Sequence, residues 1–370
     1  AQIYMHIDKI KINNFKNYIS TEVKFSKKIN FLFGKNGAGK TNLLDAIYYL
    51  SYGKSAINNF DSDNVLTEKS FFKIEGNYSN KQSYKCTFEQ PNIKKIFENN
   101  DKYSKVKDHL GKIPLVFINP YDINLIRNYS SERRRFFDQL FSQIDKNYLD
   151  NLIAYNRLLK QRNTYLKSLH SIENLDTNHL KVYDEKLIKL NYYIHDFRKE
   201  ELKKFNKNFS TVSSELNKSK DNFSIIYSSN FNEKMSYSVF ETYLEKDFYT
   251  KKTNIGVHND DYLFNMNNKL IKRIGSQGQQ KTFLIALKLA QFDFIKEQIG
   301  FKPILLLDDI FDKLDDHRIL KLISFVNKNV FGQVFITDTH AERSAEILTK
   351  AGITYSIYTI EQGRLTDERR

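Results

Sequence analysis

The 370-residue sequence predicts an α/β fold with an inserted helical hairpin, and three observations predict it. A strand, a glycine-rich turn and a helix follow one another over residues 29–33, 34–41 and 42–50. An apolar run at residues 304–307 ends in two acids, Asp308 and Asp309. Between these, residues 131–209 hold no glycine or proline, and apolar residues recur there at helical spacing.

Up to about Tyr121 the chain reads mostly as short strands, over residues 6–12, 20–25, 29–33, 71–78, 83–88 and 114–118. Residues 92–107 are charged and read as an exposed loop, and the four residues before Met5 read as an extension. In the glycine-free middle, Tyr183, Leu187, Leu190, Ile194 and Phe197 alternate steps of four and three, while Leu152, Leu159 and Leu166 repeat at seven beside Tyr148 and Tyr155. Both patterns are coiled-coil seams, and the polar stretch 170–178 between them reads as the turn of an antiparallel hairpin. Strand and turn signals return after Asn222: strands at 223–228, 304–307, 334–337 and 355–360, with a short helix at 237–246. The expected domains are a head over residues 1–125, an arm over 126–215 and the rest of the head over 216–370.

Gly34, Lys35, Asn36, Gly37, Ala38, Gly39, Lys40 and Thr41 fit the phosphate-loop pattern G-x-x-x-x-G-K-[ST], with Asn42 opening the helix. Glycines let the backbone wrap close to an anion, and the N–H groups of the first helical turn then point at it. Lys40 would reach the β- and γ-phosphates and the Thr41 hydroxyl would ligate Mg2+, so the implied ligand is ATP or a relative. A glycine-rich turn fits this pattern by chance only rarely when strand and helix flank it. The acids after the apolar run complete a Walker B pattern: Asp308 would hold the metal, and Asp309 would orient or deprotonate the attacking water. An apolar strand ending in Asp is common, and it gains meaning from the loop.

Residues 276–281, SQGQQK, enter a helix and resemble the ABC signature, in which Ser276, Gly278 and Gln279 would meet the γ-phosphate held by a second head. By itself the segment is better read as an ordinary helix N-cap on Ser276, and the other motifs tip it toward the signature. Asp315 follows at the D-loop position. His340, or Asp338 instead, stands where a γ-phosphate sensor would be.

The single cysteine, Cys86, excludes a disulfide framework and a four-cysteine metal site. With no secretory signal and no spanning apolar run, a cytoplasmic setting and no membrane contact are expected. Lys and Arg total 58 against 44 Asp and Glu, a net charge of +14. Such an excess favours a polyanion, nucleic acid first, although a lysine-rich proteome gives the same composition.

These motifs define a P-loop NTPase of ABC type, and further segments resemble the RecF family over nearly the whole chain. They are NFKNY at 14–18, RRFFD at 134–138, YNRLLKQRN at 155–163, IKRIGSQGQQKT at 271–282 and LLLDDIFDKLD at 305–315. Two places depart from the family pattern: Asn259 in GVHNDD stands where the family carries arginine, and Ala56-Ile57 after GKS stand where it often has Phe-Arg. The resemblance implies an SMC/Rad50-like head with a helical arm, ATP-dependent homodimerisation, DNA binding and slow ATP hydrolysis. It further implies work with RecO and RecR at gapped DNA, recombinase loading and support of the SOS response. Arg133, Arg134, Lys203 and Lys204 would contact backbone phosphates. An SMC/Rad50-type tether would need a far longer coiled coil, and a non-catalytic scaffold would not need both acids.

Overall fold

The structure, a computed structural model, describes residues 5–216, 221–231, 236–309, 331–339 and 354–369, with 319, 325, 346, 349, 350 and 352. Its contacts form two compact units: residues 1–123, 215–217 and 277–370, and residues 124–214 and 218–276.

The first unit is built on two sheets. One has the order β15-β14-β3-β13-β12-β8. Its parallel strands β3 (Ile29–Phe33), β8 (Leu115–Ile118), β12 (Ile304–Leu307) and β13 (Val334–Asp338) are nearly all buried, which explains why they read as unbroken apolar runs. β14 (Ser356–Glu361) continues the sheet in parallel, and β15 (Arg364–Arg369) closes it antiparallel. The second sheet is antiparallel, in the order β2-β1-β4-β5-β6-β7. It comprises β1 (Ile7–Phe15), β2 (Tyr18–Lys24), β4 (Phe71–Tyr78), β5 (Ser83–Glu89), β6 (Ile93–Glu98) and β7 (Asp101–Lys102). Helix α1 (Lys40–Tyr52) is buried from Leu43 to Tyr52, and one apolar cluster joins it to both sheets. A largely apolar helix whose few polar residues find partners suits that interior position. Helix α9 (Gln277–Ile299) packs on β8.

The second unit carries α2 (Asn124–Arg127), α3 (Ser130–Ile144), α4 (Lys146–Ser168), α5 (Thr177–Leu216), α6 (Tyr237–Thr242), α7 (Leu244–Thr250) and α8 (Ile271–Ile274). It also holds a three-stranded sheet, β11 (Lys269–Leu270), β10 (Asp261–Met266) and β9 (Phe223–Ser228). Residues 218–276, expected in the head, fall in this unit because β10 packs on α3: Phe137 stacks on Tyr262 at 4.0 Å between ring centroids.

Two local expectations change. Residues 93–98 are not a loop but a strand, β6, whose lysines mask the alternation while Ile96 points into the core. Of the expected α4 seam, Tyr148, Tyr155 and Leu166 are buried and Leu152 and Leu159 only half-buried, while Arg162, which was not expected there, is fully buried. On α5 the fully buried set includes Asp184, Leu187, Asn191, Ile194 and Arg198. Thus the two helices do form a hairpin, but polar residues at heptad spacing run through its seam.

Candidate active site

The phosphate loop leaves β3 and enters α1. Gly37 and Gly39 have φ of 78° and 116°, in the range that favours glycine. Gly34 has another constraint: a Cβ there would lie 2.3 Å from the Ile360 carbonyl oxygen on β14. The Lys40 ammonium lies over the loop, donating to the carbonyls of Gly34 at 2.6 Å and Lys35 at 3.0 Å. The loop is held from outside as well. Asn17 Nδ2 donates to the Ala38 carbonyl at 3.2 Å, the Tyr18 hydroxyl donates to that of Gly39 at 2.9 Å, and the Gly363 N–H donates to that of Ala38 at 2.8 Å. Asn42 donates from Nδ2 to Asn17 Oδ1 at 2.8 Å, which fixes the Asn17 amide.

Parallel pairing brings the Walker B acid to the loop. Asp308 follows β12, and the Thr41 hydroxyl donates to its carboxylate at 2.9 and 3.0 Å, joining residues 267 apart in sequence. Thr337, at the end of β13, donates to the same carboxylate at 2.7 Å and accepts the Asp309 N–H at 2.9 Å. Burial raises the Asp308 pKa above the ordinary carboxylate value, against the hydroxyls of Thr337 and Thr41 and the charge of Lys40. Asp309 has φ of 52°, a left-handed conformation that Asp tolerates, so the chain turns sharply at this acid. Asp338 is buried and pairs in register with Phe33, the residue before the loop.

Around this centre a second buried network fixes α1. Asp45 accepts from Lys16 Nζ at 2.6 Å, the Ser55 hydroxyl at 2.6 Å and the Ala56 N–H at 2.7 Å. The lysine of NFKNY therefore lies against α1, and residue 56 contributes only its backbone to this contact. On α9, Lys288 Nζ donates to the Phe117 carbonyl at 2.9 Å and pairs with Asp122 at 2.8 Å, tying the signature helix to the segment after β8. Burial pushes the Asp122 carboxyl up, and Lys288 works against it.

Thus Gly34, Lys35, Asn36, Gly37, Ala38, Gly39, Lys40, Thr41, Asn42, Asp308 and Asp309 gather at the C-terminal edge of one parallel sheet, where open α/β sheets bind ligands. Gly278 and Gln279 open α9 in the same unit, whereas Ser276 closes the second unit and is exposed. Asp315 and His340 lie outside the described residues. Of the basic residues expected to face DNA, the two arginines are engaged within the second unit, while the two lysines are exposed. Arg133 is buried, with Nε and Nη2 donating to Asp261 at 2.8 and 3.0 Å. Arg134 donates to Ser130 Oγ at 2.7 Å, while Lys203 and Lys204 pair with Glu200 and Glu201 one turn away. Asn17, Tyr18, Thr337, Lys288 and Gly363 belong to the site without having been expected there. Of these, only Asn17 and Tyr18 lie in a sequence signature.

A phosphate loop whose threonine meets a buried Walker B carboxylate defines the class: the head is a P-loop NTPase of ABC type. The family model described as the RecF/RecN/SMC N terminal domain matches residues 6–366. Relatives from Flavobacterium johnsoniae and Cytophaga hutchinsonii, each named DNA replication and repair protein RecF, are 41% and 42% identical over 96% and 98% of this chain and 100% and 96% of their own. The solved structure described as the recombination mediator protein RecF-ATPrS in the RecFOR pathway covers all of both chains with a TM-score of 0.87 at 29% identity. An Smc head domain from Pyrococcus furiosus, at TM-score 0.56 and 16% identity, shares the fold. The chain belongs to the RecF family.

Proposed function

We propose that this chain is an ATP-dependent, DNA-binding recombination mediator that dimerises around ATP and hydrolyses it slowly. The observation that carries the proposal is the Thr41–Asp308 contact at 2.9 Å beside the Lys40 loop. Mg2+ is held in such sites by one or two protein oxygens plus substrate phosphates. The donors fit: a hydroxyl and a buried carboxylate lie side by side, and among the described residues no cluster of three or more His, Cys, Asp or Glu offers a protein-only cage. Thr41 and Asp308 would hold the ion, which supplies charge neutralisation between phosphates. Lys40 exchanges its loop carbonyls for phosphate oxygens. The N–H groups of the loop and of the first turn of α1 supply fixed donors where negative charge develops. Asp309, at its left-handed turn, positions or deprotonates water.

Ser276, Gly278 and Gln279 would meet the nucleotide of a second copy, with Asp315 beside the interface and His340 or Asp338 near the γ-phosphate. Closure of two heads would then depend on ATP, and hydrolysis would release DNA. RecO- and RecR-like proteins are the partners proposed, with gapped, single-stranded or duplex DNA as the substrate and little sequence preference. Recombinase loading, fork repair and SOS induction would follow from this activity in the cytoplasm. No helix among the described residues is long and apolar enough to cross a membrane. Light scattering tests the core of this proposal: a non-hydrolysable ATP analogue shifts the wild type from monomer toward dimer and leaves Ser276→Arg monomeric. A wild type that stays monomeric with saturating nucleotide overturns it.

A further inference from the structure

The charge excess needs a surface. The arginines expected to supply it are engaged elsewhere, but the register of the antiparallel sheet supplies another set. Directly opposed residues share a face, and successive residues alternate faces. The inward face carries Ile10, Ile12, Val23, Phe72, Ile74, Tyr84, Cys86 and Ile96, all within the core cluster that includes α1. The outward face is crossed by four rows, three of which carry its lysines. One runs Lys24, Lys9, Asn77, Ser83. The next runs Glu22, Lys11, Glu75, Lys85, Phe97, Lys102. The third runs Ser20, Asn13, Lys73, Thr87, Lys95. Seven lysines thus face two glutamates in these rows.

The acids do not cancel the lysines. Glu22 bridges Lys9 and Lys11 at 3.2 Å each, and Glu75 pairs with Lys73 at 2.9 Å. Such exposed pairs are weak and give way to a denser anion. Lys24, Lys95 and Lys102 stand at both margins of the face, so six strands at about 4.8 Å spacing spread positive charge over roughly 24 Å. Between the lysines lie Ser20, Asn13, Thr87, Ser83 and Asn77, side chains of the kinds that donate to phosphate oxygens. Lys85 sits over the Phe97 ring at 4.4 Å, so the apolar group in the middle row is capped by a cation. The fourth row, Phe71, Glu89 and Ile93, gathers the exposed apolar side chains of this face at one end of the strands and beside an acid, so the lysine rows themselves suit a phosphate backbone better than a lipid surface.

We infer that the outer face of β2-β1-β4-β5-β6-β7 is a nucleic-acid docking surface that tracks sugar-phosphate backbone without reading bases. The inference rests on the proposed DNA-binding function and assigns a place to it. Lysine, a point charge on a flexible stem, gives affinity without register, so binding there should be indifferent to sequence and steep in salt.

The test uses the full chain with a non-hydrolysable ATP analogue and a labelled 40-base-pair duplex, titrated between 50 and 200 mM salt. Lys24→Gln, Lys95→Gln and Lys102→Gln are combined. None of the three touches the nucleotide site, so ATP binding and melting temperature stay at wild-type values and report an intact fold. The expected result is a log–log salt slope shallower by about 2–3, from roughly 0.9 per lost phosphate contact, with affinity down tenfold or more near physiological salt. A triple variant with wild-type affinity and slope overturns the surface while leaving the DNA-binding function standing. A wild type that binds no duplex overturns the function itself. Lysine-dependent capture by phosphatidylserine vesicles without duplex binding assigns the face to membranes and also overturns the inference.

Discussion

Asn17 sits outside the phosphate loop, yet its amide bonds both the Ala38 carbonyl and the side chain of Asn42. Replacing it with alanine removes a donor from one loop carbonyl and an acceptor from the first turn of α1. The expected outcome of Asn17→Ala is ATP binding weaker by about 1 kcal/mol, roughly fivefold, by calorimetry, with little change in melting temperature. An unchanged affinity would show that the loop holds its shape alone. The loop itself was legible in the sequence because its chemistry is contiguous: glycines, lysine and threonine in eight residues. The braces were not: Gly363 reaches the Ala38 carbonyl from the turn between β14 and β15, 325 residues further along the chain, and Thr337 on β13 holds Asp308 rather than the loop itself. His258 supplies a second residue-scale test. Its Nδ1 lies 2.6 Å from the Tyr155 hydroxyl and its Nε2 lies 2.9 Å from the Thr253 carbonyl, which suits a neutral ring. Burial lowers its pKa to about 4 from 6.5. A depressed folded-state pKa means the unfolded chain binds the proton more readily between those values. The stabilisation is therefore present above about pH 6.5 and lost as the pH falls toward 4. Chemical denaturation at pH 7 and pH 5 should give a steeper loss for wild type than for His258→Gln, by about 1–2 kcal/mol once the ring's partial exposure is discounted. Equal slopes would remove His258 from the account.

At the scale of elements, the arm is where the sequence misled, and the reason is chemical. Tyr148, Tyr155 and Arg162 on α4 face Arg198, Asn191 and Asp184 on the antiparallel α5, so three polar layers occupy the seam. Arg198 donates to the Tyr148 hydroxyl at 3.0 Å and to Asp138 and Asp260 at 2.8 Å. Asn191 accepts the Val257 N–H at 2.8 Å. Arg162 donates to Asp184 at 2.6 Å, Asp247 at 2.7 Å and Thr253 at 2.9 Å. Each layer therefore reaches past the hairpin to residues 247–260, the segment that carries the family's GVHNDD motif. A hydrophobic seam could not grip that segment with backbone and carboxylate bonds. A pattern search gives weight to apolar residues, so Tyr148 and Tyr155 were seen, while Arg162, seven residues on, was passed over. The existence of the hairpin was legible, because 79 residues without glycine or proline leave few alternatives, and so was part of its contact face, Tyr148, Tyr155, Leu166, Leu187 and Ile194; its polar members were not. Arg162→Met leaves two buried carboxylates without their cation and should cost about 3–5 kcal/mol in urea unfolding of the second unit. Adding Asp184→Leu and Asp247→Asn should recover part of that loss. No recovery would mean the arginine matters through packing alone.

For the whole molecule, ATP is proposed to act as removable glue, and on that proposal Asp308 and Asp309 would separate holding it from removing it. Asp308 contacts Thr41 and would share the metal, so Asp308→Asn should weaken nucleotide binding and closure together. The Asp309 backbone N–H donates to the Thr337 hydroxyl at 2.9 Å, a bond that a change of side chain at this position leaves in place. Asp309→Asn keeps the size and the backbone turn, since Asn also tolerates the left-handed region. It removes the base. Hydrolysis should fall by about a hundredfold or more while ATP affinity stays near wild type. Dimers formed on ATP should then persist longer by a similar factor, and ATP should trap in this variant what only a non-hydrolysable analogue traps in wild type. Size-exclusion chromatography with light scattering, sampled over hours after ATP addition, reads this directly. DNA retained on the lysine face at moderate salt should follow the dimer's lifetime rather than nucleotide affinity. A variant that hydrolyses slowly yet dissociates as fast as wild type would uncouple hydrolysis from opening, and the gating half of the mechanism would fall while ATP binding stood.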